Sequence, residues 1–117
     1  LFAIHELSLM MVLGERVLEV ATREGAERVV VIHLRMGALA GVDSLALQTA
    51  AEVVLAGTVA DGARLAIEEV PPAWWCGPCR MEFPAADALG RCPACGLVSR
   101  QVLRGQDLVL HSLELDP

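Results

Sequence analysis

Cys76-Gly77-Pro78-Cys79 and, after a gap of twelve residues, Cys92-Pro93-Ala94-Cys95 are the stretch that decides how this chain is read. These four are its only cysteines. A two-residue gap lets both thiolates of a knuckle turn toward one point, and two knuckles complete the tetrahedral sulfur set that Zn(II) prefers. The spacing predicts a structural zinc site at Cys76, Cys79, Cys92 and Cys95, inside a ribbon module spanning residues 71–103.

The first knuckle also supports another reading, because Trp75-Cys76-Gly77-Pro78-Cys79 has the form of the redox motif of thioredoxins. In that chemistry the first cysteine is a nucleophile of lowered pKa at a helix N-terminus, with a strand just before it. Here Val70-Pro71-Pro72 ends a strand and opens a linker, and Phe83-Pro84 and a second knuckle follow. A redox pair does not need a second C-x-x-C at ribbon spacing, which favours zinc over a thiol oxidoreductase. Paired disulfides would suit a secreted chain, and nothing else in the sequence looks secreted.

Outward from the cysteines, 117 residues suit one ordinary domain or a small domain carrying a smaller insertion. Apolar residues make up 55% of the chain, but with no Tyr and only two Phe the packing must be aliphatic. A net charge of -6, with nine scattered basic residues, argues against a nucleic-acid partner, since phosphate binding needs clustered Lys and Arg. The apolar opening from Leu1 to Leu13 is broken by His5 and Glu6 and has no basic residues ahead of it, so it does not read as a signal peptide. No apolar run is long enough to cross a bilayer. The expectation is a cytoplasmic protein without a membrane partner.

Leu9, Leu13, Val17 and Val20 recur at helical steps between Glu6 and Arg23, predicting an amphipathic helix that ends near Gly25. Val29 to Met36 is rich in β-branched residues and stops at Gly37, as a strand would. Asp43 or Ser44 can cap a second helix running to about Leu55, with Leu45, Ala46, Val53 and Val54 available to the core. Arg64 to Val70 reads as a second strand, and Pro71-Pro72 marks a boundary. Leu108 to Leu115 reads as a third strand. So short a tail must find its partners in the earlier strands, which makes the ribbon an insertion. The predicted fold class is α+β: two helices on a three-stranded sheet, formed by residues 1–70 plus 104–117, with the four-cysteine module inserted at 71–103.

In that order, the chain resembles the HypA/HybF family of hydrogenase nickel-incorporation proteins over essentially its whole length. The resemblance rests on Ile4-His5-Glu6-Leu7-Ser8-Leu9, Gly37-Ala38-Leu39-Ala40-Gly41-Val42, Gly57-Thr58 with Gly62-Ala63-Arg64-Leu65, Val70-Pro71, both knuckles, and Gly105-Gln106-Asp107-Leu108 through Leu113-Glu114-Leu115. It implies a metallochaperone that brings Ni(II), as transient cargo, to the large subunit of [NiFe]-hydrogenase together with a HypB-type GTPase; some members also serve urease. Residue by residue, it carries nickel binding to His5, Glu6 and the distant carboxylate Asp43, and a structural zinc role to the four cysteines. Imidazole, backbone nitrogen and carboxylate suit Ni(II), whose tetragonal sites favour N and O ligands.

Taken alone, His5-Glu6 would read as a solvated helix start and Asp43 as an N-cap. The family opens Met-His-Glu, whereas here Ile4 stands in the methionine position with Leu1, Phe2 and Ala3 ahead of it. His33 and His111 have no partner motif and read as structural or surface residues. No catalytic constellation stands out, so the chain reads as a chaperone and not an enzyme. The alternatives left open are the thiol oxidoreductase and a zinc-stabilised interaction module that does not bind nickel.

Overall fold

The computed structural model describes residues 4–84 and 89–117. Leu1, Phe2 and Ala3, on which the expectation about the N-terminal extension falls, lie outside the described residues. The elements are α1 (Ile4–Arg23), β1 (Arg28–Gly37), α2 (Ser44–Val54), β2 (Arg64–Val70), β3 (Ala73–Cys76), β4 (Met81–Pro84), β5 (Val102–Arg104) and β6 (Leu108–Asp116). They form two three-stranded sheets, ordered β2-β1-β6 and β4-β3-β5. The expected pairing of the C-terminal strand with the two earlier ones is therefore present: β6 returns past the whole cysteine module to lie beside β1.

The chain divides into two compact units, one comprising residues through Leu34, Val42–Glu68 and Leu110–Pro117, the other Arg35–Gly41 and Glu69–Val109. In the first unit, β1 is the central strand, and its neighbours Val31 and Ile32 are both buried although they point to opposite faces. The core is completed by Met10, Val17 and Ala21 of α1 and by Leu47, Ala50, Ala51 and Leu55 at and after α2. Of the stripe expected on α1, Val17 is fully buried, whereas the buried side of α2 differs from the one expected. In α1, Leu9, Leu13 and Val20 only flank the seam, because Gly14 sits on it: a Cβ there would lie 3.0 Å from Val54 Cγ1. In α2, the expected Leu45 and Val53 are 73% and 68% exposed. That helix is apolar on almost every side, so composition alone could not set its rotation.

In the second unit, β3 pairs antiparallel with β4, bringing Trp74 opposite Phe83 and Cys76 opposite Met81. It also pairs with β5, through a register shift between Ala73 and Trp74. Gly37 and Gly105 let two backbone segments touch: a Cβ on Gly37 would lie 2.2 Å from the Gly105 carbonyl oxygen. Gly37 N–H donates to Asp107 O, Ala38 N–H to Val70 O, and Leu39 N–H to Gly105 O. This backbone clasp delivers Leu39 to the apolar cluster of Trp74, Cys76, Phe83 and Cys92.

Candidate metal centre

Each knuckle is a tight turn that follows a short extended segment. In the first, Cys76 ends β3, Arg80 N–H donates to Gly77 O, and Arg80 takes a positive φ of 52°. In the second, Gly96 N–H donates to Cys92 O, Cys92 N–H donates to Leu97 O, and Gly96 has a φ of 76°. The residue just after the second cysteine is left-handed in both knuckles, and glycine meets that requirement without steric cost. The closing segment is tied back by Trp75 N–H donating to Gln101 O and by the Ser99 hydroxyl donating to the Trp75 carbonyl.

These turns bring ligand atoms of Cys76, Cys79, Cys92 and Cys95 all within 4.8 Å of one another. The Cys76 and Cys95 sulfurs are 3.6 Å apart. Four sulfurs around a metal at a bond length near 2.3 Å would have edges of about 3.8 Å, so this donor set fits one tetrahedral thiolate-bound ion. The first cysteine of each knuckle is buried, whereas Cys79 is half-buried and Cys95 exposed.

Backbone N–H groups point at the sulfurs as they do in thiolate sites. Those of Cys95 and Ala94 hold the Cys92 thiol down to about 7. The Cys79 N–H acts likewise on Cys76, but burial and the neighbouring thiols outweigh it and leave Cys76 raised. Crowding by Cys76 and Cys95 pushes Cys79 up to about 12. A cation at the centre would remove this mutual opposition, because each thiolate would then face positive charge. A thioredoxin-like site would need Cys76 lowered at a helix start. Here its thiol is raised, and β4 follows the turn.

His5 and Glu6 lie in the first turn of α1, and Asp43 is the N-cap of α2, accepting Ala46 N–H at 2.9 Å. Glu6 is buried, and its Oε2 accepts the Asp43 backbone N–H at 3.0 Å. That hydrogen bond holds its carboxyl below the ordinary range, against the opposing effect of burial. His5 Nδ1 lies 3.7 Å from the same oxygen, on a side chain 60% exposed. One carboxylate therefore ties the starts of both helices together. Among the described residues, the four cysteines alone bring three or more such ligand atoms within 4.8 Å of one another, so His5, Glu6 and Asp43 are neighbours without forming a closed cage.

Sequence reasoning did not find the packing that fixes the cysteines. Leu39 and Val102 pack against the cysteine core, and Gly90, at a φ of 66°, gives room to the Trp74 ring, which a Cβ would meet at 2.5 Å. The paired tryptophans before Cys76 and the glycine before Arg91 were the available signals. His33, read as unpartnered, has its Nε2 2.6 Å from Glu114 Oε2.

Residues 4–115 match the family model described as hydrogenase/urease nickel incorporation, metallochaperone, hypA. Among its relatives, the chain is 42% identical to hydrogenase maturation factor HypA of Roseiflexus sp. (strain RS-1), over 96% of this chain and 92% of the relative. It is 37% identical to hydrogenase maturation factor HybF of Klebsiella pneumoniae, over 94% and 97% of the two chains. Its fold is similar to the solution structure of the Ni metallochaperone HypA from Helicobacter pylori, with a TM-score of 0.71 at 22% identity, covering 95% of this chain and 97% of that one. No described helix is long and apolar enough to cross a membrane. With a match that runs through both cysteine knuckles and the helix starts alike, the chain belongs to the HypA family of metallochaperones, maturation factors and not enzymes, that serve nickel incorporation.

Proposed function

We propose that the protein carries Ni(II) at His5 and delivers it during maturation of [NiFe]-hydrogenase in the cytoplasm, while a Zn(II) held by Cys76, Cys79, Cys92 and Cys95 keeps the ribbon folded. The observation that carries the nickel reading is the tie between the two helix starts. The buried Glu6 accepts the backbone N–H of Asp43 and lies beside the exposed His5, so an imidazole and a carboxylate are held together at the point where the Asp43 cap begins α2. Nitrogen and oxygen donors suit Ni(II), and a few-ligand, open arrangement can release what it binds. The cysteine set is closed and soft, which suits a resident ion.

In this reading His5 is the principal ligand. In that reading the Asp43 carboxylate approaches while still capping α2, and Glu6 ligates through its second carboxylate oxygen while Oε2 keeps the Asp43 N–H. The nickel-binding domain is assigned to residues 1–70 plus 104–117 and the zinc domain to 71–103, while by compactness Arg35–Gly41, Glu69, Val70 and residues 104–109 group with the cysteine unit. A HypB-type GTPase is the expected partner, the hydrogenase large subunit the recipient, and urease a second recipient.

Isothermal titration of Ni(II) into zinc-loaded protein tests this. One nickel per chain is expected, lost in His5→Ala with the zinc content unchanged. Unaltered nickel binding in His5→Ala would refute it, and the absence of nickel binding in the native protein would leave a zinc-stabilised interaction module.

A further inference from the structure

We propose that the cysteine centre is also an oxidant-responsive switch, entered at Cys95 and closed by a Cys76–Cys95 disulfide across the two knuckles. The four cysteines are not equally sheltered: Cys76 and Cys92 are buried, Cys79 is half-buried and Cys95 is exposed. Every residue from Pro93 to Val98 around Cys95 is exposed as well. A dissolved oxidant therefore reaches one sulfur before the others, and oxidation of a thiolate follows its access. The Cys76 sulfur lies 3.6 Å from that of Cys95, on the other knuckle. Cys92 shares the knuckle of Cys95, but its sulfur is held by two backbone N–H groups, those of Cys95 and Ala94, whereas Cys76 is held by the Cys79 N–H. Joining Cys95 to Cys76 gives up fewer of these hydrogen bonds than joining it to Cys92.

The inference rests on the zinc reading above, in which all four sulfurs are thiolates. The oxidant is a hydroperoxide, hydrogen peroxide being the simplest. The Cys95 thiolate attacks it, an S–O bond forms, the O–O bond breaks, and the peroxide takes two electrons from the sulfur and leaves hydroxide. Cys95 is then a sulfenic acid. The Cys76 thiolate attacks that sulfur, forming the S–S bond and expelling a second hydroxide, and two protons from solvent turn both hydroxides into water. Two of the four donors are consumed, and Cys79 and Cys92 alone do not complete a tetrahedral thiolate set. The ion is released and the ribbon loses the binding energy that folds it. A thiol reductant reverses the step. The pairing differs from the Cys76–Cys79 pair of a thioredoxin-like site, because it joins the end of β3 to the second knuckle.

A centre that served structure alone would oxidise in no preferred order. One equivalent of hydrogen peroxide added to the zinc-loaded native protein separates the two, with zinc release read by a metallochromic dye and the linkages mapped by mass spectrometry after free thiols are alkylated. One zinc should leave per disulfide formed, with Cys76–Cys95 the main linkage and Cys79 and Cys92 alkylated. Dimedone present during the reaction should label Cys95 and suppress the disulfide. Dithiothreitol together with zinc should restore the metal content. A dominant Cys76–Cys79, Cys92–Cys95 or intermolecular linkage, dimedone on another cysteine, or retained zinc would overturn the proposal. Zinc content measured before peroxide is added reports the metal reading by itself. A protein that binds no zinc fails that reading, whereas zinc-loaded protein that gives another linkage fails only this one.

Discussion

In the proposed reading, the cysteine centre and the cluster at the helix starts are opposite solutions to holding a cation. In the first, four like donors come from two knuckles braced by backbone hydrogen bonds, with Cys76 and Cys92 set into an apolar core beside Trp74 and Phe83. In the second, one hydrogen bond from the Asp43 backbone N–H holds Glu6 beside His5, which stays exposed. Four thiolates that repel one another without a cation make folding depend on the metal, whereas an imidazole beside an already satisfied carboxylate does not. Under the proposed function, the difference is that between an ion that is part of the structure and one that can leave it.

The largest expected effect breaks the first half of that comparison. Replacing Cys92 with Ser, or stripping metal with a chelator, should unfold the ribbon while the helices remain, because the binding free energy of small thiolate sites, about 10–16 kcal/mol, doubles as their folding free energy. Loss of the near-UV signal of Trp74 and Trp75 with little change in far-UV helical signal would report it. An intact tryptophan signal in the metal-free protein would show that Leu39, Trp74 and Phe83 suffice.

The next effect tests the second half. Glu6→Ala removes the buried carboxylate that accepts the Asp43 N–H, which should cost about 1.5–3 kcal/mol, the range for a hydrogen bond to a charged group. Asp43→Ala removes only an exposed N-cap and should cost about 1 kcal/mol. Chemical denaturation of both variants checks the order. If Asp43→Ala proved the more damaging, the tie between the helices would run through its side chain and not its backbone.

Much of this was legible without coordinates, and the exceptions share a cause. The cysteine spacing, the Asp43 cap and the return of β6 to β1 follow from local chemistry or from the need to bury Leu110, Leu113 and Leu115, which the sheet leaves half-covered. Val17 of the stripe expected on α1 is buried, but its neighbours on that seam and the buried side of α2 were missed because Gly14 and Ala21, Ala50 and Ala51 do much of the packing. Small residues permit close approach without adding to a hydrophobic pattern. Glu6 was read as solvated or as a ligand, and its burial depends on Asp43, far away in sequence. Leu39 reaches the cysteine core only because Gly37 and Gly105 let two backbones touch, a contact no local pattern encodes.

The smallest expected effect divides the cysteine centre itself. Arg80 and Gly96 occupy equivalent places after their knuckles, both with positive φ, but only Gly96 adopts that conformation freely. A left-handed residue bearing a Cβ costs about 1–2 kcal/mol, less what the unfolded chain gains in freedom when the replacement is glycine. Arg80→Gly should therefore stabilise the ribbon by about 0.5–1 kcal/mol, and Gly96→Ala, which meets no steric obstacle within 4 Å, should destabilise it by a similar amount through backbone strain alone. Thermal unfolding of the zinc-loaded variants, monitored by tryptophan fluorescence, should move in opposite directions. Equal losses in both would mean that the Arg80 side chain contributes more to the first knuckle than its strain takes away, and that the two halves of the centre are not equivalent in how they are held.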